Sequence, residues 1–361
     1  MENCFNSLQL KTKIPNGFNY LCKCMYKQLI SKYTKGNYSK IFILADTNTA
    51  KYCLPLLPDT LKKNSTIIKI KPGEKNKTIE TVQLICQTLI KSGADRKSIL
   101  LNLGGGMVSD IGGFCASIYM RGIDFINIPT SLMGMIDAAH GGKTGIDFNL
   151  TKNTLGTFNL PQDVIIDYRF LKTLPVREFT AATSEMIKHS LIADKKYFRE
   201  LLVHKSTSEY ANKRHISKSI SIKTRIVRLD PYEKNIRAYL NFGHTIGHAL
   251  ESTSLNTPNP ILHGEAIAAG LVCECYISHI LAGFPAKSLG QICGWYLQNF
   301  KKPKLSSSQK VDLMHYLIKD KKNHQNQIRM VLLAKPGKPY GLISVNKGSI
   351  DESLLFLENL K

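Results

Sequence analysis

"SILLNLGGGMVSDIGGF", residues 98–114, decides the fold. Its Ile- and Leu-rich start reads as a strand ending at Leu103, three glycines follow, and the pattern after them predicts a helix from about Met107. Upstream, KIFILAD (40–46) and STIIKI (65–70) are β-branched-rich strand candidates, and DFINIP (124–129) is another downstream. Between the second and third strands, KTIETVQLICQTLIKSGA is apolar at helical spacing and stops at Gly93. Strands separated by helices imply a parallel sheet with right-handed crossovers.

From about Phe179 the pattern is helical almost throughout, with one late strand-like run, IRMVLL (328–333). The expectation is an α/β chain: a Rossmann-like parallel-sheet domain over 1–178, then a mainly α-helical domain over 179–361. No internal repeat, low-complexity tract or long linker interrupts it.

The composition is that of an ordinary globular protein, with 43% hydrophobic and 21% charged residues in 361. The start, MENCFNSLQLKTKIP, has no apolar core of a signal peptide, and no uninterrupted apolar run approaches the ~20 residues of a membrane span. A cytoplasmic protein with no membrane partner is expected. Nine cysteines without a CxxC pair argue against a disulfide framework and a thiolate zinc site, leaving reduced thiols. The formal charge of +22 invites a nucleic-acid reading. The lysines are dispersed, however, and no nucleic-acid-binding signature accompanies them, so a polyanionic small substrate explains the charge as well.

The glycines at 104–106 let the backbone bend and approach a ligand, and the helix start after them offers N–H groups to a phosphate. The spacing is not GxGxxG. Asp46 and Asn48, just after the first strand, stand where an adenine ribose would be hydrogen-bonded. In PTSLMGMIDAAHGGKTGIDFNLTKN (129–153), Lys143 and Lys152-Asn153 sit among Gly, Thr and apolar residues, where lysines present point charges to phosphates or carboxylates.

AATSEMIKHSLIA (181–193) places Glu185 and Lys188 three apart on an apolar helix, as a simple ion pair or as site residues. NFGHTIGHALE (241–251) puts His244 and His248 on one helix face. Spacing alone leaves open whether they hold a metal, bind an anion or pack in a core. With Arg237 and Asn241 just before them and His263 in LHGEA, one Glu and two or three His make a set suited to zinc with an open position. A zinc protease is disfavoured because Thr245 stands where its general-base Glu belongs.

Together these stretches resemble the 3-dehydroquinate synthase family of sugar phosphate cyclases. The likeness runs through PGEKNKT, GGGMVSDIGGF, YMRGIDFINIPTS, DAAHGGKTGI, KN, FLKTLPVREF, SEMIKH, LNFGHTIGHALE, LHGEA and DKK, in one order over nearly the whole chain. It implies a carbon–oxygen lyase of the shikimate pathway that closes 3-deoxy-D-arabino-heptulosonate 7-phosphate into 3-dehydroquinate with loss of phosphate. NAD would oxidise the substrate transiently, phosphate would leave, and reduction and an intramolecular aldol addition would follow. The implied metal ligands are Glu185, His244 and His263, holding zinc or its substitute cobalt.

The implied NAD contacts in the first half are Asp46, Asn48, Glu74, Lys77, Gly105, Gly106, Asp110 and Thr130. Further along they are Ser131, Asp137, Lys143, Lys152, Phe170, Thr173, Leu174 and Glu178. Substrate would meet Arg121, Lys143, Asn153, Lys188, Lys223, Arg237, Asn241, His248 and one of Lys321-Lys322. A homodimer is implied, with Arg121 reaching the neighbouring subunit. The chain departs from the family at Ser109, Ser131, Ala138, Ala139 and His140, none of which removes a group that does chemistry. Two rivals within this architecture are cyclases acting on carboxylate-free sugar phosphates and metal-dependent polyol dehydrogenases. A planar Arg237 suits a carboxylate and favours the dehydroquinate reaction.

Overall fold

The computed structural model describes residues 18–20, 31, 38–149, 151–254, 257–319 and 328–361. Lys321, Lys322, Cys4, Cys22 and Cys24 lie outside the described residues. By compactness the chain divides into two units, Met1–Thr130 with Gly142–Lys172, and Ser131–Gly141 with Thr173–Lys361.

The first unit carries a six-stranded parallel sheet: β1 (Phe18–Tyr20), β2 (Ile41–Asp46), β3 (Ser65–Ile70), β4 (Ile99–Gly104), β5 (Asp124–Pro129) and β8 (Asp163–Ile166), ordered β1-β8-β5-β4-β2-β3. Every residue of β2 and β4 is buried, which explains their unbroken apolar runs, while β3 at the edge alternates. Helices α1 (Ile79–Lys91) and α2 (Gly106–Ile118) form within two residues of the expected positions. Val82, Ile85 and Leu89 of α1 and Val108 and Ile111 of α2 meet Phe42, Leu44 and Leu100 of the sheet in one core.

Chain order reverses between β2 and β4, which are neighbours although β3 separates them in sequence. In open parallel sheets the crevice beyond the carboxyl ends of such a strand pair is where ligands bind. Asp46 ends β2 and Gly104 ends β4, so the two stretches singled out for a nucleotide sit side by side. The antiparallel hairpin of β6 (Lys143–Phe148) and β7 (Thr151–Phe158) completes this unit.

The second unit is mainly helical, as expected. Its principal helices for the site are α3 (Val176–Ala193), α4 (Lys213–Leu229), α5 (His244–Ser254) and α6 (His263–Ala282). The late strand is present as β9 (Ile328–Lys335), paired antiparallel with β10 (Lys338–Val345). Among the described residues, α6 alone is long and apolar enough to cross a membrane by length and composition, yet 67% of its apolar window is buried inside the protein. Glu265 and Glu274 interrupt it, and it packs against α3 and α5 as a core helix.

Candidate active site

In the first unit, α2 follows β4 directly, and no side chain caps its N-terminus, where Gly105 takes the cap position in an extended conformation. A thirteen-residue helix whose leading N–H groups lack a side-chain cap fits a phosphate. Beside it stands Lys77, only 2% exposed, whose ammonium donates to Asp110 Oδ2 at 2.6 Å and Asn153 Oδ1 at 2.6 Å, with Glu74 Oε1 at 3.3 Å. Burial opposes that charge, but Asp110 and Glu74 outweigh it and raise the Lys77 pKa. Four residues expected to contact cofactor or substrate therefore meet in one knot.

Asn153 has a left-handed backbone, φ +50°, with its N–H on Asp147 Oδ1 at 2.8 Å. Asp46 Oδ1 caps the short helix Thr47–Tyr52 by accepting from Asn48 and Thr49 N–H, so this carboxylate also has a local structural role. Asn48 and Lys143 are exposed, Lys152 is half-buried, and Thr130 and Phe170 are buried. Arg121 is exposed on left-handed backbone, φ +68°, where the turn after α2 ends.

In the second unit, α3 presents Glu185, Lys188 and His189, all buried. The Lys188 ammonium contacts Glu185 Oε2. Glu185 Oε1 has no hydrogen-bond donor, and His244 Nε2 and His263 Nε2 lie 3.4 and 3.9 Å from it. A tetrahedral zinc with bonds of about 2.1 Å separates its ligand atoms by roughly 3.4 Å. A fully buried carboxylate oxygen without a donor, facing two imidazole nitrogens at that spacing, suits a divalent cation.

His248 joins the group. The ligand atoms of His244, His248 and His263 all lie within 4.8 Å of one another, as do those of Asp137, Glu185 and His189. In the second set the carboxylates already face ammonium groups: Asp137 Oδ1 is 2.6 Å from Lys223 Nζ and 4.0 Å from Lys188 Nζ. Burial would lift the Asp137 pKa, but Lys223, Lys188 and His189 hold it well below the usual carboxylate range. Burial pulls down the pKa of both Lys223 and His189, and Asp137 only partly offsets this. His140, a departure from the family pattern, is buried with Nε2 2.7 Å from the Met135 carbonyl. Burial lowers its pKa to about 4, so it is neutral near pH 7.

Arg237 is 2% exposed, and its fork is engaged by main chain: one nitrogen donates to the Pro231 carbonyl, the other to the Gly141 carbonyl at 2.6 Å. Each of these nitrogens carries a second N–H. Asn241 donates to Glu233 Oε1 at 2.5 Å. Ser131 caps the short helix Leu132–Ile136 through its Oγ, while Thr173 and Glu178 are exposed and Leu174 is half-buried.

Three helices carry the Glu and two His, and glycines bring their backbones together. A Cβ on Gly264 would stand 2.0 Å from the Ala181 carbonyl oxygen, and one on Gly270 would stand 2.0 Å from that of Gly243. So α6 lies directly on α3 at one point and on the head of α5 at another. Sequence reasoning missed His189, Glu251 and Glu274. Glu251 Oε2 accepts from or faces His263 Nδ1 at 3.1 Å, the position from which a carboxylate fixes the tautomer of a metal-binding imidazole. Glu251 closed the stretch that exposed the histidine pair, and its place one turn beyond His248 was the available signal.

Two family models, described as 3-dehydroquinate synthase N-terminal and C-terminal, match residues 67–181 and 182–323. A 3-dehydroquinate synthase from Parabacteroides distasonis is 42% identical over 340 residues, covering 93% of this chain and 96% of that protein. The chain belongs to the 3-dehydroquinate synthase family. Among solved structures, 2-deoxy-scyllo-inosose synthase, complexed with carbaglucose-6-phosphate, NAD+ and Co2+, is 26% identical with a TM-score of 0.81. The match covers 94% of this chain and 95% of that one. A 2-epi-5-epi-valiolone synthase from Streptomyces hygroscopicus, with NAD+ and Zn2+ bound, shares the fold at 22% identity and a TM-score of 0.82, over 98% and 99% of the two chains. Membership of the 3-dehydroquinate synthase family agrees with the ten motifs and with the parallel-sheet and helical units.

Proposed function

We propose that the chain converts 3-deoxy-D-arabino-heptulosonate 7-phosphate to 3-dehydroquinate and phosphate, a carbon–oxygen lyase reaction of the shikimate pathway, as a cytoplasmic homodimer. The observation that carries this reading is the donor-free, buried Glu185 Oε1 facing His244 and His263 beside Lys188. Glu185, His244 and His263 are the proposed ligands of zinc, and the start of α2 with Asp46, Lys77 and Asp110 the proposed seat of NAD. When bound, zinc supplies polarisation of a substrate hydroxyl and of the carbonyl derived from it, and NAD supplies reversible hydride acceptance.

The chain's own residues then bind and orient. Lys188 and Lys223 offer point charges to a polyanionic substrate, and His248, one turn after His244, faces a substrate hydroxyl and holds or releases its proton. The carboxylates here are already engaged by the chain's own groups: Asp137 faces Lys223, Glu185 faces Lys188 and Glu233 accepts from Asn241. We therefore assign the proton lost beside the new carbonyl to the substrate's own phosphate, which takes it as it departs.

Arg237 is assigned to the substrate carboxylate. The carbaglucose-6-phosphate held by the inosose synthase carries no such group. Arg237→Lys keeps charge but loses the planar fork. It should lower kcat/KM on the acid substrate roughly thirty- to a thousand-fold, the effect of about 2–4 kcal/mol of charge-assisted binding. Steady-state kinetics on 3-deoxy-D-arabino-heptulosonate 7-phosphate and on glucose 6-phosphate test this. A loss in Arg237→Lys confined to the acid supports the reading; an equal loss on both substrates would overturn it.

A further inference from the structure

Glu274 lies in the middle of α6, fully buried between Cys273 and Cys275. Its carboxylate accepts three main-chain N–H groups: Gly243 at 2.6 Å, Thr245 at 3.0 Å and Ile246 at 3.2 Å. These are the leading donors of α5, whose first helical bond runs from Gly247 N–H to the Gly243 carbonyl. Such donors are ordinarily capped by the side chain at the residue before the helix. That residue is Gly243, which has none, so α6 supplies the cap from 31 positions away.

His244 is the first residue of α5, and His263 the first of α6. A cation held by both would therefore face two helix N-termini, each carrying roughly half a positive charge. At α6 the main chain is capped locally, by Glu265 Oε2 accepting from Leu262 N–H at 2.8 Å. At α5 the only capping carboxylate among the described residues is that of Glu274. Its contact also coincides with the close approach of Gly270 to Gly243, so one short stretch of α6 fixes both the place and the field of the helix head.

We propose that Glu274 is a positioning residue for the metal site: it fixes His244 at the head of α5 and offsets the positive helix end that a bound cation faces. The proposal deepens the ligand reading of Glu185, His244 and His263 and rests on it. Loss of a carboxylate that orients a metal ligand typically weakens the metal 10- to 100-fold.

The test is zinc affinity, by competition with a chromogenic chelator, for purified full-length wild type, Glu274→Gln, Glu274→Asp and His244→Ala at a temperature where circular dichroism shows all four folded. Glu274→Gln should bind zinc roughly 10- to 100-fold more weakly. Glu274→Asp, which keeps the charge, should recover part of that loss, and excess zinc should restore kcat in both. A merely structural residue would lower the melting temperature and leave zinc affinity unchanged. Wild-type affinity in Glu274→Gln, with zinc lost in His244→Ala, would overturn the proposal while sparing the ligand reading. Wild-type affinity in His244→Ala would remove the ligand reading itself, and the proposal with it. In the unaltered protein, the amides of Gly243, Thr245 and Ile246 should exchange slowly with solvent; exchange at unprotected rates would overturn the cap.

Discussion

Alanine at position 263 should leave a folded protein that no longer retains zinc and turns over about a thousand-fold more slowly. The His263 side chain is 38% exposed, so its removal opens little buried volume. Its loss reduces three proposed ligands to two and leaves Glu185 Oε1, fully buried and without a donor, facing His244 alone. Metal polarisation of oxygen contributes several kcal/mol to such reactions, and each 1.36 kcal/mol is tenfold, so roughly 4 kcal/mol gives the stated loss. Metal analysis of the dialysed variant, beside its melting curve, reads the two effects apart. Full zinc occupancy with His263 gone would mean that other residues hold the metal.

Gly264→Val should cost more stability than any surface substitution. Its Cβ would lie 2.0 Å from the Ala181 carbonyl oxygen, 2.4 Å from its carbon and 3.0 Å from its Cα. These are backbone atoms of α3 and cannot swing away, so α6 must move off α3. Overpacking of this kind costs about 1–3 kcal/mol, and a contact against rigid backbone belongs at the upper end. About 3 kcal/mol should lower the melting temperature by roughly 6–12 °C in a unit of this size. Because α3 carries Glu185 and α6 carries His263, zinc affinity should fall too. Unchanged melting and unchanged zinc binding would mean that the two helices do not touch there.

Four strands of the sheet were legible, most plainly β2 and β4, where burial on both faces demands unbroken apolar runs. β1 and β8 were missed because three- and four-residue strands are too short to show a pattern. The β6–β7 hairpin was not, since its second strand alternates exposed and half-buried residues and its sequence is Thr-, Gly- and Asn-rich. β10 was missed for a similar reason: KPYGLISV has a proline, a glycine and mostly partial burial. The compactness of Ser131–Gly141 with the second unit is a long-range property, set by contacts such as Asp137 with Lys223, 86 positions away.

The site divides in the same way. Short-range spacing exposed the pair His244 and His248, whose rings stand 5.0 Å apart, and the pair Glu185 and Lys188 on one helix face. Glu274 was invisible, because its partners lie about thirty residues upstream and its neighbours are apolar. The close-approach role of Gly264 was equally hidden within LHGEA. Residue types suggest the proposed ligands, and the contacts that aim them are tertiary.

The most direct test of the central claim is a single reaction followed two ways. Zinc-loaded protein is mixed with NAD and 3-deoxy-D-arabino-heptulosonate 7-phosphate, while released phosphate and NADH absorbance are recorded together. Catalysis with a returned hydride predicts one phosphate per 3-dehydroquinate formed and no net NADH. NADH accumulating in step with substrate consumption, without phosphate release, would make the protein a dehydrogenase and contradict the proposed reaction.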